Sequence, residues 1–122
     1  MKLIEGGVCA AKGFTANGVH CGIRKNHSKK DLALILSSVP ASAAAVYTTN
    51  LVKGAPLTVT KNHISNGFAQ AVICNSGNAN TCNANGIEIA EAMSDLVAKQ
   101  LNIVASDVIV ASTGVIGQPL SI

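Results

Sequence analysis

The sequence has no tryptophan, one tyrosine and two phenylalanines, and charged residues fill only 12% of its 122 positions. An ordinary soluble domain carries roughly 25% charge, so this chain has little with which to cover its own surface. Either much of that surface is buried against another chain, or the sequence is part of a larger fold. With 48% hydrophobic residues and a net charge of +3, disorder is excluded. So mild a charge and so few aromatics also supply no base-stacking platform, which removes nucleic acid from the expected partners. No apolar run approaches the ~18 residues of a membrane span; Leu32 to Leu36 is among the longest. Met1-Lys-Leu-Ile-Glu5 has no apolar leader core, and the expected location is the cytoplasm. The length suits one domain.

Ligand and nucleophile patterns are equally scarce. Cys9, Cys21, Cys74 and Cys82 form no C-x-x-C pair, and free buried thiols are the expectation. His20-Cys21 is the nearest approach to a metal pattern, but four ligands at zinc-finger spacing are not found, so no metal is expected. Cys74 is expected as a small apolar side chain ending a buried strand rather than as a nucleophile. Neither a G-x-G-x-x-G nor a phosphate-loop order occurs in the glycine-rich start. The acidic residues Glu5, Asp31, Glu88, Glu91, Asp95 and Asp107 suggest no shared protonation, and no Ser or Cys has a nucleophile-elbow context.

What is present is a sequence of short elements. Gly6-Gly7, Gly13, Gly18 and Gly22 interrupt Val8, Phe14, Val19 and Ile23, as in short strands joined by tight turns. Arg24 to Lys30 reads as the basic tip of a hairpin; a solvated loop is expected, with an anion site as the alternative. Asp31 to Ser37 is expected as a buried strand, Pro40 as its punctuation, and Ala43 to Thr49 as the next strand. Leu57 to Ile64 is ambiguous, since Leu57, Val59 and Thr60 favour a strand; a short helix is the preferred reading, with Pro56 in its first turn and Gly67 just past its end. Ala69 to Cys74 reads as a strand that ends in a polar loop, Asn75 to Asn80. After Gly86, the residues Ile89, Met93, Leu96, Val97 and Leu101 form one apolar helical stripe, with Glu88, Glu91, Asp95 and Lys99 opposite. Val108 to Ala111 is expected as a buried strand running into Ser112 to Gly117.

Strand, helix and strand at this spacing make a βαβ unit with parallel strands, so the fold class is α/β. Both strands then deliver their polar ends to the same edge of the sheet, where α/β proteins commonly bind ligands. Asn75, Ser76, Gly77, Asn78 and Asn80 contain no acid or base and are expected as a structural loop beside that site. Ser112-Thr113-Gly114 offers hydroxyls and an unobstructed backbone amide at a strand end, which is what an oxyanion hole requires. The chain therefore reads as half of an active site, with an electrostatic stabiliser and no nucleophile.

Five segments in order carry a resemblance. Gly6-Gly-Val8 with Lys12-Gly-Phe14, Lys30-Asp-Leu-Ala33 with Pro40-Ala-Ser-Ala-Ala44, Tyr47-Thr-Thr-Asn50 with Ala55-Pro56, Asn75-Ser-Gly-Asn-Ala-Asn80, and Ala111-Ser-Thr-Gly-Val-Ile-Gly117 resemble the bifunctional ornithine acetyltransferase / N-acetylglutamate synthase of arginine biosynthesis. The resemblance implies a precursor that cuts itself before a threonine into α and β subunits, assembled as an α2β2 heterotetramer. The freed threonine would take the acetyl group from N-acetylornithine and pass it to glutamate, with no cofactor and with acetyl-CoA as a further possible substrate. Thr113 and Gly114 match the oxyanion-hole residues of the family. The implied fold is a layered α/β sandwich, similar to aminopeptidases of the N-terminal-nucleophile type but connected differently.

The self-cleavage sequence of that family, a Lys-Gly-Ala-Thr type, does not occur here; Lys53-Gly-Ala-Pro56 mimics it, but proline has no hydroxyl. Residues 1–122 are accordingly expected to be a single N-terminal segment of an α subunit. The rest of α, the β subunit and the nucleophile would lie outside it, and the segment alone would be inactive. Two alternatives remain at this stage: an N-terminal-nucleophile amidase or peptidase of related fold, and a non-catalytic module that binds a small ligand.

Overall fold

The structure, a computed structural model, describes all residues 1–122. Four strands form one sheet in the order β1-β2-β3-β4. Strands β1 (Phe14–Val19), β2 (Leu32–Ser42) and β3 (Phe68–Asn78) are antiparallel neighbours, while β4 (Val108–Val115) lies parallel to β3. Helix α1 (Ala55–His63) connects β2 to β3, and α2 (Gly86–Leu101) connects β3 to β4. The expected βαβ unit is therefore β3-α2-β4.

The core sits where the two helices cover β3 and β4. It consists of Val59 from α1, Ala71 and Ile73 from β3, Ala90, Met93 and Ala98 from α2, Val108 and Val110 from β4, and Leu120. Strand β3 alternates as a half-covered strand should: Ala69, Ala71, Ile73 and Asn75 are buried, and the residues between them are not. Helix α1 begins with Pro56 in its first turn, and its chain then tightens through Ile64–Asn66 to Gly67 at φ 81°, as the sequence predicts.

Several expectations are corrected. Strand β2 is not buried along its length, because no helix lies over it; Leu32, Leu34 and Leu36 are only half-covered. Nor does Pro40 end it. The register with β3 slips between Leu36 and Ala41, and Pro40 sits in that bulge, where no N–H is needed for the ladder. Ala43 to Thr49 forms no strand, since no neighbour is placed to pair with it, and Val46 is 98% exposed. On α2 the buried stripe is turned by one residue from the expected one. Gly86, Ala90, Met93, Ser94 and Ala98 face inward, while Leu96 is exposed. Small residues let the helix approach α1 and the sheet closely, and the larger ones sit on its flanks. The four cysteines are free as expected, but Cys9, Cys21 and Cys82 are exposed and Cys74 is half-buried.

Candidate functional site

The polar ends of β3 and β4 are not loops. Both strands continue beyond their apolar segments, and the pairing runs Asn75 to Ser112, Ser76 to Thr113, Gly77 to Gly114 and Asn78 to Val115. The sequence predicts the end of each strand at its last apolar residue, whereas the ladder continues because each strand gives the other a partner. Gly114 has φ 135°, and a Cβ there would overlap the Gly77 backbone and come within 2.5 Å of the Asn78 nitrogen. Only glycine fits this close approach.

The asparagines brace the backbone, as expected of a structural segment. Asn75 Nδ2 donates to the Asn78 carbonyl at 2.9 Å, and Asn78 Nδ2 donates to the carbonyls of Gln118 and Pro119 at 3.0 and 3.1 Å. Asn80, at φ 46°, turns the chain out of β3 and donates through Nδ2 to the Gly86 carbonyl at 2.8 Å. All three are buried. The amides of Asn78 and Asn80 tie β3 to the segment after β4 and to the start of α2, and that of Asn75 braces β3 itself.

Thr113 and Gly114 are exposed at the end of β4. Helix α1 holds the apolar part of the same strand. Thr60 Oγ1 donates to the Val110 carbonyl at 2.9 Å and accepts from the Val110 N–H at 3.1 Å, and His63 Nδ1 lies 2.8 Å from the Val108 carbonyl. The even-numbered residues of β4 thus turn their peptide groups away from β3, toward the sheet's outer edge. Ser112, Thr113 and Gly114 lie beyond these α1 contacts, at the exposed end of the strand. A Thr hydroxyl and a Gly backbone amide thus stand next to each other at an exposed strand end.

Sequence reasoning missed three contributors. Thr60 lies on a helix whose sequence gives no sign that its hydroxyl reaches a strand. Glu91, expected on the solvent side of α2, meets His63 Nε2 at 3.2 Å. Asp31 is the third, and its position as a lone acid between two lysines and an apolar strand was the available signal. Its side chain is fully buried and accepts from the backbone N–H groups of Cys21 at 2.7 Å and Arg24 at 2.8 Å, with His20 Nδ1 at 3.0 Å. Burial opposes its charge, but the Arg24 and Cys21 N–H groups outweigh it and hold the carboxyl well below the usual range. Burial, with Asp31 beside it, pushes the Cys21 thiol up.

A cleft of about 660 Å³ lies on the helix side, among Ile23, Leu32, Met93, Leu96, Val97 and Leu120. Neither Thr113 nor Gly114 lines it. No group of three or more His, Cys, Asp or Glu side chains is placed to hold a metal ion. No helix is long and apolar enough to cross a membrane.

The sequence and the structure have close relatives. The chain is 50% identical over 121 residues to the arginine biosynthesis bifunctional protein ArgJ of Caldanaerobacter subterraneus subsp. tengcongensis, a match covering 98% of this chain and 30% of that protein. It is 48% identical over 122 residues to the protein of the same name from Listeria monocytogenes, with the same two coverages. It therefore spans less than a third of the length of these relatives. The crystal structure of the arginine biosynthesis bifunctional protein argJ from Bacillus halodurans matches with a TM-score of 0.89 and 47% identity, over 94% of this chain and 60% of that one. Ornithine acetyltransferase from Mycobacterium tuberculosis, complexed with ornithine, matches with a TM-score of 0.86 and 40% identity, over 93% and 62%. These similarities fix the α/β fold and bear out the resemblance carried by the five motifs. The ArgJ family model matches residues 15–122, and the chain belongs to that family.

Proposed function

We propose that the full-length protein is an acetyltransferase of arginine biosynthesis, moving the acetyl group of N-acetylornithine to glutamate through an acetyl-threonine. Residues 1–122 are the N-terminal segment of its α subunit and supply the oxyanion hole from Thr113 and Gly114. The nucleophilic threonine comes from the remainder of the precursor, which cuts itself and assembles as α2β2 in the cytoplasm. The transfer needs no cofactor. Family membership supports the activity, and the free cysteines suit a reducing compartment.

One observation carries the site reading: Thr113 and Gly114 stand exposed together at the end of β4, a strand that Thr60 holds at both peptide groups of Val110. When a nucleophile adds to the acetyl carbonyl, its oxygen gains a full charge that the nucleophile does not neutralise. The Gly114 N–H and the Thr113 hydroxyl donate to that oxygen, and the covered half of β4 holds them in place beforehand. Donors fixed in advance need no reorganisation as the charge develops. The chain contributes no proton acceptor there, so deprotonation of the nucleophile belongs to groups outside it.

The test is Thr113→Ala in the full-length protein. Loss of one such donor costs about 10²–10³ in kcat with little change in KM. A merely structural Thr113 would cost about 1 kcal/mol of stability and leave kcat intact; wild-type kcat ends the assignment. Product analysis completes the test, because a transferase yields N-acetylglutamate whereas a hydrolase of the same fold yields acetate.

A further inference from the structure

We infer that His20 and His27 form a binding site for a borderline divalent transition cation, such as zinc, which clamps the loop between β1 and β2. The site is separate from the acetyl transfer proposed above. His20-Cys21 is the nearest approach to a metal pattern in the sequence, but the fold pairs His20 with His27 instead. His20 Nε2 and His27 Nδ1 lie 3.1 Å apart.

Both rings are held from behind. His20 Nδ1 lies 3.0 Å from Asp31 Oδ2 and 3.1 Å from the Lys29 carbonyl. Those oxygens accept, so Nδ1 carries the hydrogen and Nε2 of the neutral ring keeps its lone pair. A carboxylate behind a histidine is the arrangement that orients metal-ligating imidazoles and raises their basicity. Asp31 is suited to that part, being fully buried and fixed by the N–H groups of Cys21 and Arg24. His27 sits in the turn from Asn26 to Lys29. The Lys29 N–H donates to the Asn26 carbonyl, and the Ser28 N–H and hydroxyl both donate to Asn26 Oδ1.

The ring geometry suits a shared ion better than a straight hydrogen bond. At this nitrogen separation, a straight N–H···N contact would put the ring centroids about 5.4 Å apart. They are 4.8 Å apart, so the ring axes lean off the line between the nitrogens. Shared equally, that lean brings the two lone-pair axes together about 2.1 Å from each nitrogen, the length of a zinc–imidazole bond. Two nitrogens at that distance from one ion stand about 2.9–3.4 Å apart for coordination angles of about 90–110°. The observed 3.1 Å falls inside that range. In the absence of an ion, His27 Nδ1–H donates to His20 Nε2. Binding moves that hydrogen to His27 Nε2 and frees Nδ1 as the second ligand.

Nitrogen donors select zinc, nickel or copper over magnesium and calcium. The chain supplies two ligands, and water completes the shell. Lys25, Lys29 and Lys30 make the loop positive, while the Arg24 guanidinium is drawn off to Ser76 Oγ. Affinity is therefore modest, with a Kd on the order of 10 μM.

The experiment is calorimetric titration of the full-length protein with zinc, and separately with magnesium, at about pH 7.5, where imidazole is neutral. Zinc binds and magnesium does not. His20→Gln and His27→Gln each weaken zinc binding at least about tenfold, and so does acidification to about pH 5.5. Because His27 is exposed, its substitution leaves the fold intact. Cobalt in place of zinc gives a spectrum without a thiolate charge-transfer band. A wild type that takes up no zinc overturns the inference. Undiminished zinc affinity in both variants, an adventitious ion only, also overturns it, as does a thiolate band, which would give the ion to the exposed cysteines.

Discussion

The two halves of the chain are built on different terms. Before residue 55 the buried residues are Asp31 and Ser37, both polar, and no member of the core cluster comes from this half. After it, two helices close over β3 and β4, and all nine core residues are found there. A βαβ unit brings its own cover, because the crossover helix must pack on the sheet to return the chain. A hairpin brings none. Strands β1 and β2 extend the sheet by backbone pairing, and their apolar side chains remain half-covered or exposed. Nine of the fifteen charged residues lie in this first half, yet Leu3, Ile4, Val19 and Val39 still stand on its surface.

Substitutions of one kind placed in each half should separate them. Gly114→Ala combines a positive φ with overlap on the Gly77 backbone and costs at least about 3 kcal/mol. Gly22→Ala, at φ 97° with nothing within 4 Å, meets the backbone strain alone. Its cost is about 1–2 kcal/mol. Denaturant midpoints of the two variants check the difference, and equal losses would break the comparison. Met93→Ala in the core costs about 2–3 kcal/mol, at the low end for such a truncation because one side of Met93 already fronts the open cleft. Val46→Ala, at a position 98% exposed, stays within about 0.5 kcal/mol.

Asp31 sharpens the contrast through pH. Its folded carboxyl titrates below the ~3.9 of an unfolded chain. The stabilisation it gives is therefore complete above that value and is lost as pH falls from there through the folded value. Asp31→Asn removes this contribution, so its melting temperature should fall less steeply than that of the wild type as pH drops from 5 toward the acid limit. Parallel curves would show that the buried carboxylate does not organise the first half.

The second half was the more legible in the sequence, for the same physical reason. Val72, Val108 and the helix between them carry local signals that agree with their surroundings. The expected strand at Ala43 to Thr49 had β-favouring residues but needed a neighbour that no local pattern specifies. Helix α2 was placed correctly and turned wrongly, because a pattern weighted by large residues overlooks a face of Gly86, Ala90, Ser94 and Ala98. At the candidate site, Thr113 and Gly114 were visible as a hydroxyl and a glycine at a strand end. Thr60 was not, since it acts on a residue fifty positions away through its side-chain hydroxyl.

The contact of Thr60 with Val110 also bears on how these molecules behave when crowded. An outermost strand reading Val-Ile-Val-Ala is a template on which a second copy could polymerise. Here one hydroxyl takes the place of an entire incoming strand at Val110, and a histidine ring does so at Val108. Seeding from this margin is blocked along its apolar stretch, whereas the opposite border, at β1, has no such cover.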